Sequence, residues 1–336
     1  MEYFRHALSL KPEEEALRIK MEEWLPERII DTHAHCNLES HVKSVNPHAY
    51  GHMLSTFTHL SLEDSIKLRE IFYPNKIVQT LRFPKTFRGI DHVSANEYLL
   101  ENSPDTDRVA VFGLPENIDY TVRMMHSPRA SALKMYWSYV DPPAEKIYDF
   151  FTPEILEEAQ KMELPIILHL PKMIIHMIDD LTKVLSDFPR LKVVLAHIGL
   201  SKLMVPGLEE AFSKTAAFDN VWVDTALNPS AEVISSALNR FGCERVMYGS
   251  DEPLNLIRSV AYEHPTKGER IVTDYQYHWV DVEDHTIYGR LAKNAVHAQW
   301  RCVEALRTAI NQYSVAEQES VKRQVFHDNA KLFFGF

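Results

Sequence analysis

Short aliphatic and β-branched runs alternate along this chain with stretches whose apolar residues recur every three or four positions. The runs at 29–35, 76–81, 108–113, 131–136, 165–169, 191–197, 221–224 and 245–250 read as eight strands. Between the later ones lie helical patterns with recognisable ends. Thr152 and Pro153 open a stripe of Ile155, Leu156, Ala159 and Met162, and Met173, Met177, Leu181 and Val184 form another that Pro189 ends. Leu208 and Phe212 mark a third, and Ser230 starts a fourth that stops at Gly242. Residues 62–71 read as helical, and a long helix is expected over 286–313, followed by one opened by the capping box Ser314 to Glu317. Ahead of the first strand, Leu17, Met21 and Trp24 sit at helical spacing between Pro12 and Pro26, predicting an added helix.

Strands alternating with helices pair in parallel, and eight of them close into a (β/α)₈ TIM barrel. An open doubly wound sheet is the rival, but no Gly-x-Gly-x-x-Gly follows a strand. The expected organisation is an N-terminal helical extension over 1–28 and a barrel over 29–336. Two long connections interrupt it, after the first strand (36–75, with His41, His48, His52 and His59) and after the last (252–283). Loops of that length in a compact domain are usually functional, so the first is expected to cover the active face.

Composition narrows the function rather than the fold. A net charge of −11 in 336 residues opposes a phosphate backbone and argues against nucleic acid as a partner. No apolar run approaches the roughly 18 residues of a membrane span, and the N-terminus lacks a secretory signal pattern. With Cys36, Cys243 and Cys302 too few and too scattered for a disulfide framework, the expected compartment is the cytoplasm.

In a barrel the carboxyl ends of all strands meet at one face, which makes neighbours of His33, His35, Lys134, His169, His197, Asp224 and Asp251. His33 and His35 share a strand face because side chains alternate. A histidine pair alone is weak evidence among 17 histidines. Joined by His169, His197 and Asp251 at other strand ends, it suits Zn²⁺ or a similar divalent ion with an open coordination position.

Taken in order, Asp31-Thr-His-Ala-His35, Ile166-Ile-Leu-His169, Val194-Leu-Ala-His-Ile-Gly199, Tyr248-Gly-Ser-Asp-Glu-Pro253 and Asp328-Asn-Ala-Lys-Leu-Phe333 resemble the amidohydrolase superfamily, in its branch of metal-dependent hydrolases, lactonases and decarboxylases. The resemblance implies that His33, His35, His169 and Asp251 ligate one divalent ion, most simply Zn²⁺, with Mn²⁺ or another ion as alternatives. It makes Asp251 the proton shuttle and His197 a ligand or substrate-polarising group. Lys134 matches the position that in two-ion members is carboxylated and bridges the metals, and is read here as a substrate contact beside one ion. Arg82 is expected to grip a substrate carboxylate and Asp224 to contact substrate, whereas Lys85 and Arg88 read equally well as ordinary loop charges.

The expected reaction is hydrolysis of a lactone, ester or amide in a small carboxylated molecule by a metal-activated water. Non-oxidative decarboxylation on the same scaffold is the alternative, and a non-catalytic binding barrel the third reading. The terminal helices and the second loop offer surface that a homo-oligomer could use.

Overall fold

The computed structural model describes residues 9–43, 58–275 and 282–336; His48 and His52 of the first long connection lie outside the described residues. Helix α1 (Pro12–Trp24) precedes strand β1 (Arg28–His35). There follow α2 (Leu62–Phe72), β2 (Ile77–Phe83), α3 (His92–Asn102), β3 (Arg108–Phe112), α4 (Ile118–Met125) and β4 (Ala130–Met135). The second half runs α5 (Pro153–Lys161), β5 (Ile166–Leu168), α6 (Ile178–Asp187), β6 (Val193–Leu195), α7 (Leu208–Ala216), β7 (Val221–Asp224), α8 (Ala231–Phe241) and β8 (Val246–Met247). All eight strands are parallel and lie in chain order. Thr32 N–H donates to the Tyr248 carbonyl (3.0 Å), His35 N–H to that of Glu252 (2.7 Å) and Asp251 N–H to that of His33 (2.8 Å), so β8 returns to β1 and the barrel closes.

Side-chain oxygens define several helix starts. Ser61, Asp91, Asn117 and Ser230 each accept a hydrogen bond from the backbone N–H three residues on. The expected helix over 286–313 is broken: α9 (Val282–Tyr288) is followed by a 3₁₀ segment, a short strand β11 (Val296–His297) and only then α10 (Ala298–Ile310). The connection after β8 also carries an unforeseen antiparallel hairpin, β9 (Arg258–His264) with β10 (Gly268–Thr273), and β11 joins it through β9. Val260 and Ile271–Val272 either side of the Pro265–Gly268 turn were its signal. Buried Glu14 of α1 ties the N-terminal helix to this hairpin, accepting from Arg258 Nε (2.8 Å) and from His297 N–H (2.9 Å). The chain closes with α11 (Val315–Arg323) and α12 (Asn329–Phe334).

Two apolar layers result. Ile30, Leu81, Ala110, Ala132, Ile167, Val194 and Met247 fill the barrel interior, where Ala330 and Phe334 of α12 join them, while Ile29 and most other aliphatics pack between strands and helices. On β1 the inward side is thus even-numbered at Ile30. The pairing with β2 then slips: Asp31 faces Thr80 but Ala34 faces Arg82, one extra residue on β1. Beyond this bulge the inward positions are odd-numbered, which turns His33 and His35 into the barrel. Asp31 Oδ1 clamps the bulge by accepting from His33 N–H (3.0 Å) and Ser250 N–H (2.9 Å). Among the described residues no helix is long and apolar enough to cross a membrane.

Candidate metal centre and substrate cavity

The two imidazoles of β1 sit on Phe83, with ring centroids 5.0 Å (His33) and 4.7 Å (His35) from it. His33 Nδ1 donates to Asp224 Oδ2 (2.8 Å) and His35 Nδ1 to the Pro84 carbonyl (3.1 Å). These acceptors fix the Nδ1–H tautomer, so both Nε2 atoms carry lone pairs. Burial holds the His35 pKa down to about 3, against the pull of Asp251, which keeps the ring neutral. Gly249 makes room for His33: a Cβ there would stand 2.9 Å from His33 Cβ.

Both Nε2 atoms face Asp251 Oδ1, at 3.5 Å from His33 and 3.2 Å from His35. Burial would raise the Asp251 pKa, but the histidines around it hold it below the usual carboxylate range. The ligand atoms of His33, His35 and Asp251 all lie within 4.8 Å of one another. Two imidazole nitrogens and a carboxylate oxygen converging this closely are the ligand types a divalent cation takes, and such an ion at their centre would coordinate all three. The donor set therefore fits the ion that the sequence implies.

His169 and His197 complete the ring of imidazoles. Each follows a strand end and lines the same cavity, and their centroids are 5.2 Å apart. His169 Nδ1 donates to the Leu170 carbonyl (2.9 Å) and His197 Nδ1 to that of Ala226 (2.8 Å), so here too Nε2 is an acceptor. His169 lies outside the tight His33, His35 and Asp251 cluster and lines the same cavity beside His197. Burial lowers the His197 pKa to about 4. As a neutral ring with a bare Nε2, His197 can ligate a metal or take a proton but cannot donate to an oxyanion. That limits the polarising role expected of it.

His197 owes its orientation to the backbone. His197, Ile198, Gly199 and Leu200 have φ of 57°, 50°, 63° and 61°, one turn of left-handed helix, at about 1–2 kcal/mol per non-glycine residue. Asp224 Oδ1 anchors the turn by accepting from His197 N–H (2.8 Å).

The cavity holds about 220 Å³ and is lined by His33, His35, Lys85, Lys134, Tyr136, His169, His197, Asp251 and their neighbours. Two expected substrate contacts are absent from this wall. Arg82 points out of the barrel on β2: its side chain is fully buried, with Nε donating to Asp107 Oδ2 (2.9 Å) and Nη1 to Ser65 Oγ (2.5 Å). Strand alternation explains this, because Leu81 and Phe83 take the inward positions. Asp224 likewise stands behind His33 and the 197–200 turn, where it orients other groups. Lys134 does reach the cavity, and so does Lys85. Both are almost fully buried, and neither Nζ has a hydrogen-bond partner among the described residues. Burial lowers each pKa to about 8. Lys85 carried a signal that sequence reading underweighted: it lies two residues past Phe83, the inward-facing end of β2. Among the described residues of the first connection, none lines the cavity; His41 and His59 make local hydrogen bonds within that connection.

Solved structures share this architecture at low identity. An amidohydrolase 2 from Bifidobacterium longum subsp. infantis superposes with a TM-score of 0.58 at 14% identity, over 93% of this chain and 100% of the other. A protein assigned as 2-pyrone-4,6-dicarboxylic acid hydrolase from Pseudomonas putida gives 0.56 at 16% identity (93% and 98% covered). The 5-carboxyvanillate decarboxylase of Sphingomonas paucimobilis gives 0.55 at 15% identity (93% and 100% covered). No curated protein sequence matches this one. At such identities these likenesses establish the barrel alone. The sequence model of the amidohydrolase family, however, matches residues 30–336, from the interior strand residue Ile30 through both histidines, Asp251 and the final helix. A closed parallel barrel with this ligand set at its carboxyl face, matched over that whole length, makes the chain a member of the amidohydrolase family of enzymes.

Proposed function

We propose that the chain is a metal-dependent hydrolase that cleaves a lactone, ester or amide bond in a small carboxylated substrate. The observation that carries this reading is the tight cluster of His33 Nε2, His35 Nε2 and Asp251 Oδ1, open to a cavity whose wall also holds two buried ammonium groups without a hydrogen-bond acceptor among the described residues. His33, His35 and Asp251 would hold one divalent ion, Zn²⁺ in the simplest case, with His169, which lines the same cavity, as a further ligand. Such an ion supplies Lewis acidity that brings the pKa of water down to about 7.

The protein's own groups do the rest. Asp251 accepts the proton of the attacking water and passes it to the leaving group, and His197 Nε2 is the second acceptor in reach of the cavity. Negative charge developing on the substrate oxygen meets the ammonium group of Lys134. With Nζ 5.3 Å from the centre of the Phe83 ring, against which His33 and His35 also pack, Lys134 stands beside the two imidazoles. As an uncarboxylated cation it is a substrate contact in a one-ion site. The three cysteines form no disulfide, which fits a reducing, cytoplasmic setting.

The lysines also favour hydrolysis over loss of CO₂. A carboxylate held by an ammonium group is stabilised as a carboxylate and resists giving its electron pair to carbon. The test is metal analysis of the purified protein, then assay of the metal-loaded enzyme against carboxylated lactones and amides, with CO₂ monitored in parallel. Ring opening or amine release with about one bound equivalent of metal supports the proposal. CO₂ release without hydrolysis, or turnover unaffected by metal removal, would overturn it.

A further inference from the structure

Between β2 and α3 the chain crosses the wall of the metal cavity as an irregular strap. Lys85, Thr86 and Phe87 line the cavity, and among the described residues no backbone–backbone hydrogen bond holds residues 84–86. Side chains hold them instead. The Pro84 carbonyl accepts from His35 Nδ1 (3.1 Å), that of Lys85 from His92 Nε2 (2.8 Å) and that of Phe87 from the Tyr139 hydroxyl. The first donor belongs to the metal cluster. The other two do not: His92 and Tyr139 are absent from the wall of the metal cavity and line a separate cleft with Arg88, Gly89 and Ile90.

Both donors are themselves fixed. The His92 ring, at the start of α3 and 3% exposed, stacks on Phe112 at the end of β3, with centroids 4.1 Å apart and planes inclined by 26°. Tyr139, in the connection after β4, meets that ring edge-on at 5.0 Å. Burial lowers the His92 pKa to about 4, so the ring is neutral and its Nε2–H serves the Lys85 carbonyl. A strap without a ladder of its own takes its place from such bonds. Two groups of the site depend on that place: the Pro84 carbonyl that orients His35, and the ammonium group of Lys85. We infer that His92 and Tyr139 are positioning residues of the metal site, clamping the strap so that Pro84 presents its carbonyl to His35 and Lys85 its ammonium group to the cavity.

The role assigned to the clamp rests on the cavity being the site of the proposed hydrolase, but its first two readouts need no turnover. Chelator competition gives zinc affinity, and nitrogen NMR of the metal-free protein gives the His35 tautomer, in the wild type, Tyr139→Phe, His92→Leu and His92→Gln. Leucine removes the donor to Lys85, whereas glutamine places an amide N–H near the position of Nε2. Tyr139→Phe and His92→Leu are expected to bind zinc about tenfold more weakly, with part of His35 protonated at Nε2, and His92→Gln to stay within about threefold of the wild type. Circular dichroism and melting curves establish that each variant is folded. On a substrate that the wild type hydrolyses, at saturating zinc, KM is expected to rise about tenfold in Tyr139→Phe and His92→Leu, with kcat changing less. A lowered Tm with zinc affinity, tautomer and KM all at wild-type values would leave the pair a structural role only and overturn the inference. Zinc binding as weak in folded His92→Gln as in His92→Leu would overturn it too. Zinc binding weakened by leucine and restored by glutamine, in a protein that hydrolyses nothing, would leave the inference standing and remove the hydrolase reading. Hydrolysis with wild-type zinc affinity and KM in all three variants would do the reverse.

Discussion

Asp224 Oδ2 accepts from His33 Nδ1 at 2.8 Å while its Oδ1 accepts from the backbone N–H of His197 at 2.8 Å and of Ala226 at 3.1 Å. One carboxylate thus sets the tautomer of a candidate ligand from β1 and the backbone of the turn that carries another. Burial would raise the Asp224 pKa, but the hydrogen bonds it accepts from His33 Nδ1 and from the His197 backbone keep it below the ordinary carboxylate value.

Asp224→Asn keeps the shape and removes one acceptor. If the amide oxygen continues to serve the two backbone N–H groups, the amide NH₂ faces His33 Nδ1 and drives the proton to Nε2, where the lone pair is needed. Zinc affinity is expected to fall about 10–100-fold, the usual effect of losing such an outer partner. Competition against a chelator measures it, with nitrogen NMR of the histidines reporting the tautomer. Wild-type affinity with an unchanged tautomer would refute the role given to Asp224.

Asp251→Asn removes a ligand and the principal proton acceptor without changing volume. A folded protein with little or no turnover is expected, its far-UV circular dichroism matching the wild type. Rates within tenfold of the wild type would remove Asp251 from the mechanism.

Arg82 and Asp107 predict a stability effect rather than a kinetic one. The pair is fully buried, and Asp107 also accepts from Arg69 Nη2 (2.5 Å) and from Thr80 N–H (3.1 Å). Arg82→Met strands the Asp107 charge beside a single remaining arginine and is expected to cost about 3–5 kcal/mol of folding stability. Urea titration measures the loss. Since Arg82 does not reach the cavity, KM at a temperature where the variant is folded should stay within about twofold of the wild type, and a KM raised tenfold or more would return Arg82 to the substrate site.

The pH dependence of anion binding follows from the lysines. Both pKa values lie near 8, lowered from the usual 10.5 by burial. An anion binds the protonated form, so affinity is at its full value well below pH 8 and falls as pH rises through it, by up to about tenfold per pH unit for each proton coupled to binding. Calorimetry between pH 6.5 and 9.5 checks the sign. Affinity that is flat or increases over that range would contradict it.

The barrel and the gathering of His33, His35 and Asp251 were legible in the sequence because both depend on local pattern: strands advertise themselves by aliphatic runs, and strand ends collect at one face whatever the rest of the chain does. Arg82 was misread for a reason that pattern also contains. It is the immediate neighbour of Phe83, and along a strand that single step is the difference between the inward face and the outer layer. The role of Asp224 was not legible, since it depends on where the 197–200 turn places a backbone N–H, a tertiary fact without a local signature. The hairpin after β8 and the break in the helix expected over 286–313 escaped for a related reason. Their strands pair with each other and β11, far along the chain, so helical propensity over 286–313 yields to sheet contacts.

The extra residue on β1 has a consequence for how this site can change. Substitutions at His33 or His35 alter one candidate ligand, but straightening the bulge at unchanged sequence would set His33 opposite Arg82 and turn both imidazoles out of the barrel at once, whereas deleting one residue between Asp31 and Ala34 would leave His35 opposite Phe83 and facing inward. The site thus answers to strand register at this point as sharply as to residue identity.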